Sequence, residues 1–166
     1  MGERQSEFEA VVLPHAATLL RFARRHCGSD AEDIVQETLL RAWRGLASFQ
    51  PDTNARAWLF RILLNTWHSH GRRKNARPVE MPLREAAARA GDSGAEIVEV
   101  NQALSRLAED QHAVLLLAAV EGFTCREMAV ILGVPMGTVM SRLSRARAAM
   151  RELVPGEKRK AEAGLK

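Results

Sequence analysis

Tyrosine is missing from the 166-residue chain, and only 2 residues are cysteine, Cys27 and Cys125. Two thiols so far apart give neither a disulfide framework nor the paired spacing of a Cys metal motif. They suit a reduced setting where a buried thiol is inert, with redox sensing as the alternative. Long apolar runs are lacking too. The longest, Ala113–Val120, is a buried-helix length, far short of the roughly 20 residues that cross a bilayer. The opening MGERQSEFEA has no apolar signal region, so a cytoplasmic chain without membrane insertion is expected. Histidines are few and scattered (His15, His26, His68, His70, His112), and His68 and His70 fall on different faces of any helix. Asp30, Asp33 and Glu37 stand one turn apart, as in carboxylate metal sites, but no His joins them at i+3. A helical metalloenzyme would lack its ligands, so no catalytic residue, metal or cofactor is assigned. Strand-type alternation is hard to find, and Ala, Leu, Arg and Glu dominate. At 46% hydrophobic residues the chain can bury real cores, and an all-α fold of two small helical domains is expected.

What is present is patterned charge. Met1–Pro78 holds 12 Lys/Arg against 8 Asp/Glu, Val79–Val120 3 against 7, and Glu121–Lys166 9 against 5. Two basic ends around an acidic middle suggest two separate contacts with a polyanion such as nucleic acid.

Along the chain, Ser6–His26 reads as an amphipathic helix (Phe8, Val12, Leu19, Phe22, Ala23 apolar), with a kink or break expected at Pro14. Cys27–Asp30 is a stop and restart in which Ser29 or Asp30 caps the next helix, Ala31–Leu46. That helix carries a core stripe of Val35, Leu39, Ala42, Trp43 and Leu46. Asp33, Gln36, Glu37, Leu40 and Arg44 lie opposite, an acidic and amide face that on its own is ordinary solvated surface. A polar loop, Ala47–Ala55, offers turn and cap chemistry through Pro51, Asp52, Thr53 and Asn54. Next comes Arg56–Lys74, apolar nearly all the way round (Trp58, Leu59, Phe60, Ile62, Leu63, Leu64, Trp67) and ending in Arg72, Arg73, Lys74 and Arg77. Aromatics beside arginines suit single-stranded nucleic acid, by stacking and by charge. Core aromatics with a basic helix-dipole cap fit equally well.

Residues 78–95 read as a linker. Glu96–Leu107 and Glu109–Val120 read as two helices that support the segment after them, and 155–166 as a disordered basic tail. That segment, between Val120 and the tail, is the most informative in the chain. Thr124 and Glu127 form a capping box opening a short helix with Met128, Ala129, Ile131 and Leu132 inward. Gly133 suits a left-handed cap and Pro135 a new helix start. The next helix buries Val139, Leu143, Ala146 and Met150 and turns Thr138, Ser141, Arg142, Arg145 and Arg147 outward. This is the form of a helix-turn-helix, whose second helix enters the major groove. A helical hairpin with merely solvated arginines is the alternative. The capping box, the turn chemistry and the acid-free stretch from Ala129 to Arg151 favour DNA.

DAEDIVQETLLRAW, AWLFRILLNTW and LAEDQHAVLLLAAVEGFTCREMAVILGVPMGTVMSRLSRAR, in that order, resemble the extracytoplasmic-function (ECF, group 4) sigma factors of the sigma-70 family. The resemblance runs from about Phe8 to Leu153 and implies a sigma2 domain over 1–77 and a sigma4 domain over 96–154. It implies that Asp33, Gln36, Glu37 and Leu40 dock on the β′ clamp helices of core RNA polymerase, with the β flap as a second polymerase contact. It implies −10 recognition and melting by Phe49, Asn54, Trp58, Arg61, Asn65, Arg72 and Arg73. It implies −35 reading by Pro135, Gly137, Thr138, Met140, Ser141, Arg142, Ser144, Arg145 and Arg147. It also implies a non-enzymatic initiation factor on promoter DNA, held by an anti-sigma factor that can tether it at a membrane. Two departures stand out. Met140 and Ser144 occupy positions often Lys or Arg and His or Phe in the family, and the usual LPxxxR reads Leu107-Ala108-Glu109. A stand-alone helix-turn-helix regulator is the rival, but it leaves the N-terminal half without a role.

Overall fold

The computed structural model describes residues 2–50, 53–75 and 94–154, with the backbone alone for 73–75 and 94–99. Its α-helices are α1 (Gly2–His26), α2 (Ala31–Gly45), α3 (Ala55–Asn75), α4 (Gly94–Ser105), α5 (Glu109–Ala119), α6 (Cys125–Leu132) and α7 (Met136–Leu153). No strand occurs among the described residues, and the chain divides into two compact units, one centred on α1–α3, the other on α4–α7. Most of the expected linker, and the whole of the expected tail, fall outside the described residues.

In the first unit α1, α2 and α3 pack pairwise. Val12, Leu19, Phe22 and Ala23 of α1 meet a core shared with Ile34, Val35 and Ala42 of α2 and Leu59, Phe60, Leu63 and Leu64 of α3. Phe22 and Phe60 stand edge to face at 5.0 Å between centroids, a geometry that adds to plain burial. α1 corrects one expectation: it starts at Gly2 and runs through Pro14 without a break. Proline removes one donor, leaving the carbonyl four residues back without its amide. Pro14 and Ala10 are both exposed, so water can take that carbonyl.

The α1–α2 junction corrects another. Gly28, at φ +64°, opens a 3-10 turn (Gly28–Asp30) running straight into α2, and the Ala31 amide donates to the Gly28 carbonyl. No side-chain cap forms, and the Asp30 carboxylate lies 3.7 Å from His70 Nε2 instead. The buried side of α2 is also rotated from the expected stripe: Ala31, Ile34, Val35, Thr38 and Ala42 are buried, while Trp43 is 36% exposed. Thr38 buries without penalty because its hydroxyl donates to the Ile34 carbonyl at 2.6 Å. Asn54 caps α3, its Oδ1 accepting from the Ala57 amide at 3.1 Å.

In the second unit α5 and α7 pack along their length, with α4 against α7. Val114 and Leu117 of α5 and Val139, Leu143 and Ala146 of α7 are buried, whereas Met150 is half-buried. Met128 and Ile131 of α6 are buried as expected, and Ala129 and Leu132 half-buried.

Candidate nucleic-acid interface

The α6–α7 turn is built by local chemistry. The Thr124 amide and hydroxyl both donate to Glu127 Oε2 at 2.8 Å, and the Glu127 amide donates to Thr124 Oγ1 at 3.3 Å. This reciprocal box satisfies donors that the first turn of α6 leaves open. Gly133, at φ +66°, reverses the chain. Pro135 then sits at the N-cap of α7, its carbonyl accepting from the Thr138 and Val139 amides.

α7 presents distinct arcs. At 100° per residue, Gly137, Ser141, Ser144 and Arg145 share the exposed side opposite the core, with Met140 at one margin and Thr138 at the other. Arg142 is turned to the support helix, its Nε 3.0 Å from Asp110 Oδ2 at the start of α5. Arg147 lies about 160° around the helix from Arg145. It lines an apolar groove with Val100, Leu104, Leu115, Val120 and Met150, about 450 Å³ in volume. Of the expected arginines, Arg145 alone therefore lies on the arc that faces away from the second unit.

A second surface runs along α3. Trp58, Arg61, Asn65, His68 and Arg72 recur at spacings of three and four and form one stripe, half-buried at Trp58 and exposed beyond it. Trp58 packs on Phe49 at 4.9 Å between centroids, and Phe49 is itself buried. Phe49 therefore supports the tryptophan from below. His68 was not among the expected contacts, although its spacing of three from Asn65 and four to Arg72 puts it on this stripe. The side chain of Arg73 lies outside the described residues.

The third surface is on α2. Asp33, Gln36 and Leu40 are exposed, Leu40 to 46%, and Glu37 is half-buried with Oε1 2.7 Å from Arg41 Nε. Trp43, which the sequence pattern places in the core, extends this face. The Arg4 guanidinium lies 5.0 Å above its ring and donates to the Trp43 carbonyl at 2.8 Å, and Phe8 meets the ring edge-on at 5.1 Å. The first turns of α1 thus pin one edge of the face. Among the described residues no group of three His, Cys, Asp or Glu side chains could hold a metal ion, and no helix is long and apolar enough to cross a membrane.

An exposed acidic-apolar face, an aromatic and basic stripe, and a helix-turn-helix on one helical chain define the class of two-module transcription factors. The model of sigma-70 region 2 matches residues 11–77, and that of sigma-70 region 4 matches residues 97–150. The ECF sigma factor EcfG of Rhodopseudomonas palustris is 38% identical over 128 residues, covering 75% of this chain and 71% of its own. The ECF sigma factor SigM of Mycobacterium tuberculosis is 35% identical over 158 residues, covering 92% of this chain and 79% of its own. The solved complex of the sigma factor RpoE with the anti-sigma factor NepR, from Bartonella quintana, superposes with a TM-score of 0.73 at 32% identity, covering 89% of this chain and 96% of that one. CnrH, solved in complex with the cytosolic domain of CnrY, superposes with a TM-score of 0.68 at 30% identity, covering 92% of this chain and 90% of that one. The chain belongs to the ECF sigma factors of the sigma-70 family. The region 2 match gives the N-terminal half the role that the stand-alone regulator left empty.

Proposed function

We propose that this chain binds core RNA polymerase and directs it to promoters, reading −35 duplex with its second unit and melting and capturing the −10 element with its first. The observation that carries the reading is the co-occurrence on one chain of the three surfaces above, each with a different chemistry. The Asp33–Gln36–Glu37–Leu40 face, widened by Trp43, suits the basic and apolar ridge of a coiled coil such as the β′ clamp helices. The stripe from Trp58 to Arg72 offers a ring for stacking, an amide for a base edge and guanidinium groups for phosphates. Extruding a base costs a few kcal/mol, which a polar and aromatic pocket offsets only for a base that fits. Asn54 and Phe49 support this site by capping α3 and seating Trp58. Arg145, Ser141 and Ser144 face the −35 major groove, and Arg142 and Arg147 flank it.

Polymerase supplies the chemistry; the chain itself is not an enzyme. The β flap is the second polymerase contact, made by the second unit. An anti-sigma factor holds the chain in the cytoplasm or at a membrane when it is idle, by analogy with the relatives solved in such complexes. The test is initiation from purified parts. The chain with core polymerase is expected to start transcripts at a defined promoter and to co-purify with polymerase from cells. A free chain that grips a duplex operator at nanomolar strength and ignores polymerase overturns the reading.

A further inference from the structure

The −35 surface of α7 carries a feature that phosphate binding and guanine reading leave unused. Met136 and Met140 are 51% and 54% exposed at the start of the recognition helix, one turn apart, and Ser144 continues their line. Gly137, directly after Met136, has nothing within 4 Å of a Cβ built on it, so a duplex can approach the backbone closely. Next around the helix come Ser141, whose hydroxyl donates to the Thr138 carbonyl at 3.0 Å, and the exposed Arg145. Arg142 is drawn to Asp110, so Arg145 is the guanidinium beside Ser141, while Arg147 stands about two turns beyond Met140 on the methionine side.

An exposed methionine carries no charge for a phosphate and no donor for guanine. In the major groove the one base-edge group that an apolar side chain recognises is the 5-methyl of thymine. Thioethers are polarisable and flexible and adapt to such a group. We propose that Met140, assisted by Met136, is a specificity determinant that selects thymine in the −35 element by packing on its 5-methyl group, beside the base pair read by Arg145. The inference rests on the proposed function and deepens its −35 contact. A different occupant, a protein surface covering the two methionines, is an outcome of the test.

The experiment uses holoenzyme, formed from the full chain and core polymerase, and promoter DNA recovered by that holoenzyme from a randomised pool. Each thymine of the −35 element, on either strand, is replaced in turn by deoxyuridine, which removes only the methyl. Affinity is read by fluorescence anisotropy. At one position or two, deoxyuridine is expected to weaken binding about fourfold, the worth of one buried methyl. That penalty is expected to vanish in Met140→Ala, while Met140→Lys shifts the preference at the same position from thymine to guanine. Deoxyuridine tolerated throughout the element, or a penalty that survives in both Met140→Ala and Met136→Ala, overturns the inference and assigns the methionines to a protein contact. Should holoenzyme still need the −35 duplex under those outcomes, the promoter reading stands while the thymine contact falls. Indifference to the −35 sequence removes both.

Discussion

At the scale of single residues, two side chains have effects that can be measured apart from any partner. Thr124 holds both ends of the capping box. Losing such a cap costs about 1 kcal/mol, which in a domain of this size lowers Tm by roughly 4–8 °C. Thr124→Ala is expected to show that drop in a circular dichroism melt and Thr124→Ser to recover most of it; an unchanged Tm would mean the box contributes nothing. His15 of α1 is held below the ordinary imidazole value of 6.5, first by partial burial and then by the positive charge of Arg56. The unfolded chain therefore binds this proton more readily, so stability is unaffected well above pH 6.5 and falls as pH drops below it. His15→Gln is expected to flatten that fall as pH drops through and below 6.5 in urea titrations, and parallel curves for the two proteins would refute it. The Thr124 box was legible in the sequence because its partners are three residues apart. Asp30 was not: whether it caps α2 or faces His70 depends on a residue 40 positions away.

At the scale of elements, the spans were easier to read than the faces. α3 was expected as a helix over nearly its observed length, yet its apolar ring left the buried side open. Packing settles it: Leu59, Phe60, Leu63 and Leu64 turn into the core, and so Arg61, Asn65, His68 and Arg72 turn out. In α2 the sequence pattern places Trp43 in the core, but the structure buries Thr38 and leaves Trp43 36% exposed, because a hydroxyl can bond its own helix whereas a ring can be covered by Arg4 and Phe8 from outside. The α3 stripe makes a prediction of its own. Each phosphate contact on a single strand contributes about 0.7 to the slope of log K against log salt. Holoenzymes carrying Arg61→Ala and Arg72→Ala are expected to bind the −10 non-template strand with slopes reduced by about that amount each, and the double variant by the sum. Slopes that do not move would take α3 off the strand. The α2 face is tested by Leu40→Asp. At this exposed position the change should leave stability within about 0.5 kcal/mol while core polymerase binding falls tenfold or more; intact polymerase binding would return the face to plain surface.

At the scale of the whole molecule, the decisive fact is how little each unit holds by itself. The outward arc of α7 has one guanidinium, Arg145, and the α3 stripe has two exposed arginines whose side chains are described, Arg61 and Arg72. The acidic stretch, Val79–Val120, repels the polyanion that both ends attract. Contacts this few place a free chain in the non-specific range, with Kd about 10⁻⁴–10⁻⁶ M at physiological salt and falling affinity as salt rises. Joined through a rigid scaffold, the second contact becomes intramolecular and gains about 10²–10⁴ in apparent affinity, provided the geometry allows both at once. Core polymerase is that scaffold in the proposed function. Anisotropy with promoter DNA is therefore expected to show weak, spacing-blind binding by the chain alone and a gain of at least about a hundredfold with core enzyme. Moving the −35 element by about half a helical turn, roughly 5 base pairs, puts its major groove on the opposite side of the duplex. That shift should erase the gain in holoenzyme and leave the free chain unaffected. Equal binding at both spacings by holoenzyme would mean that the two units do not engage the promoter together.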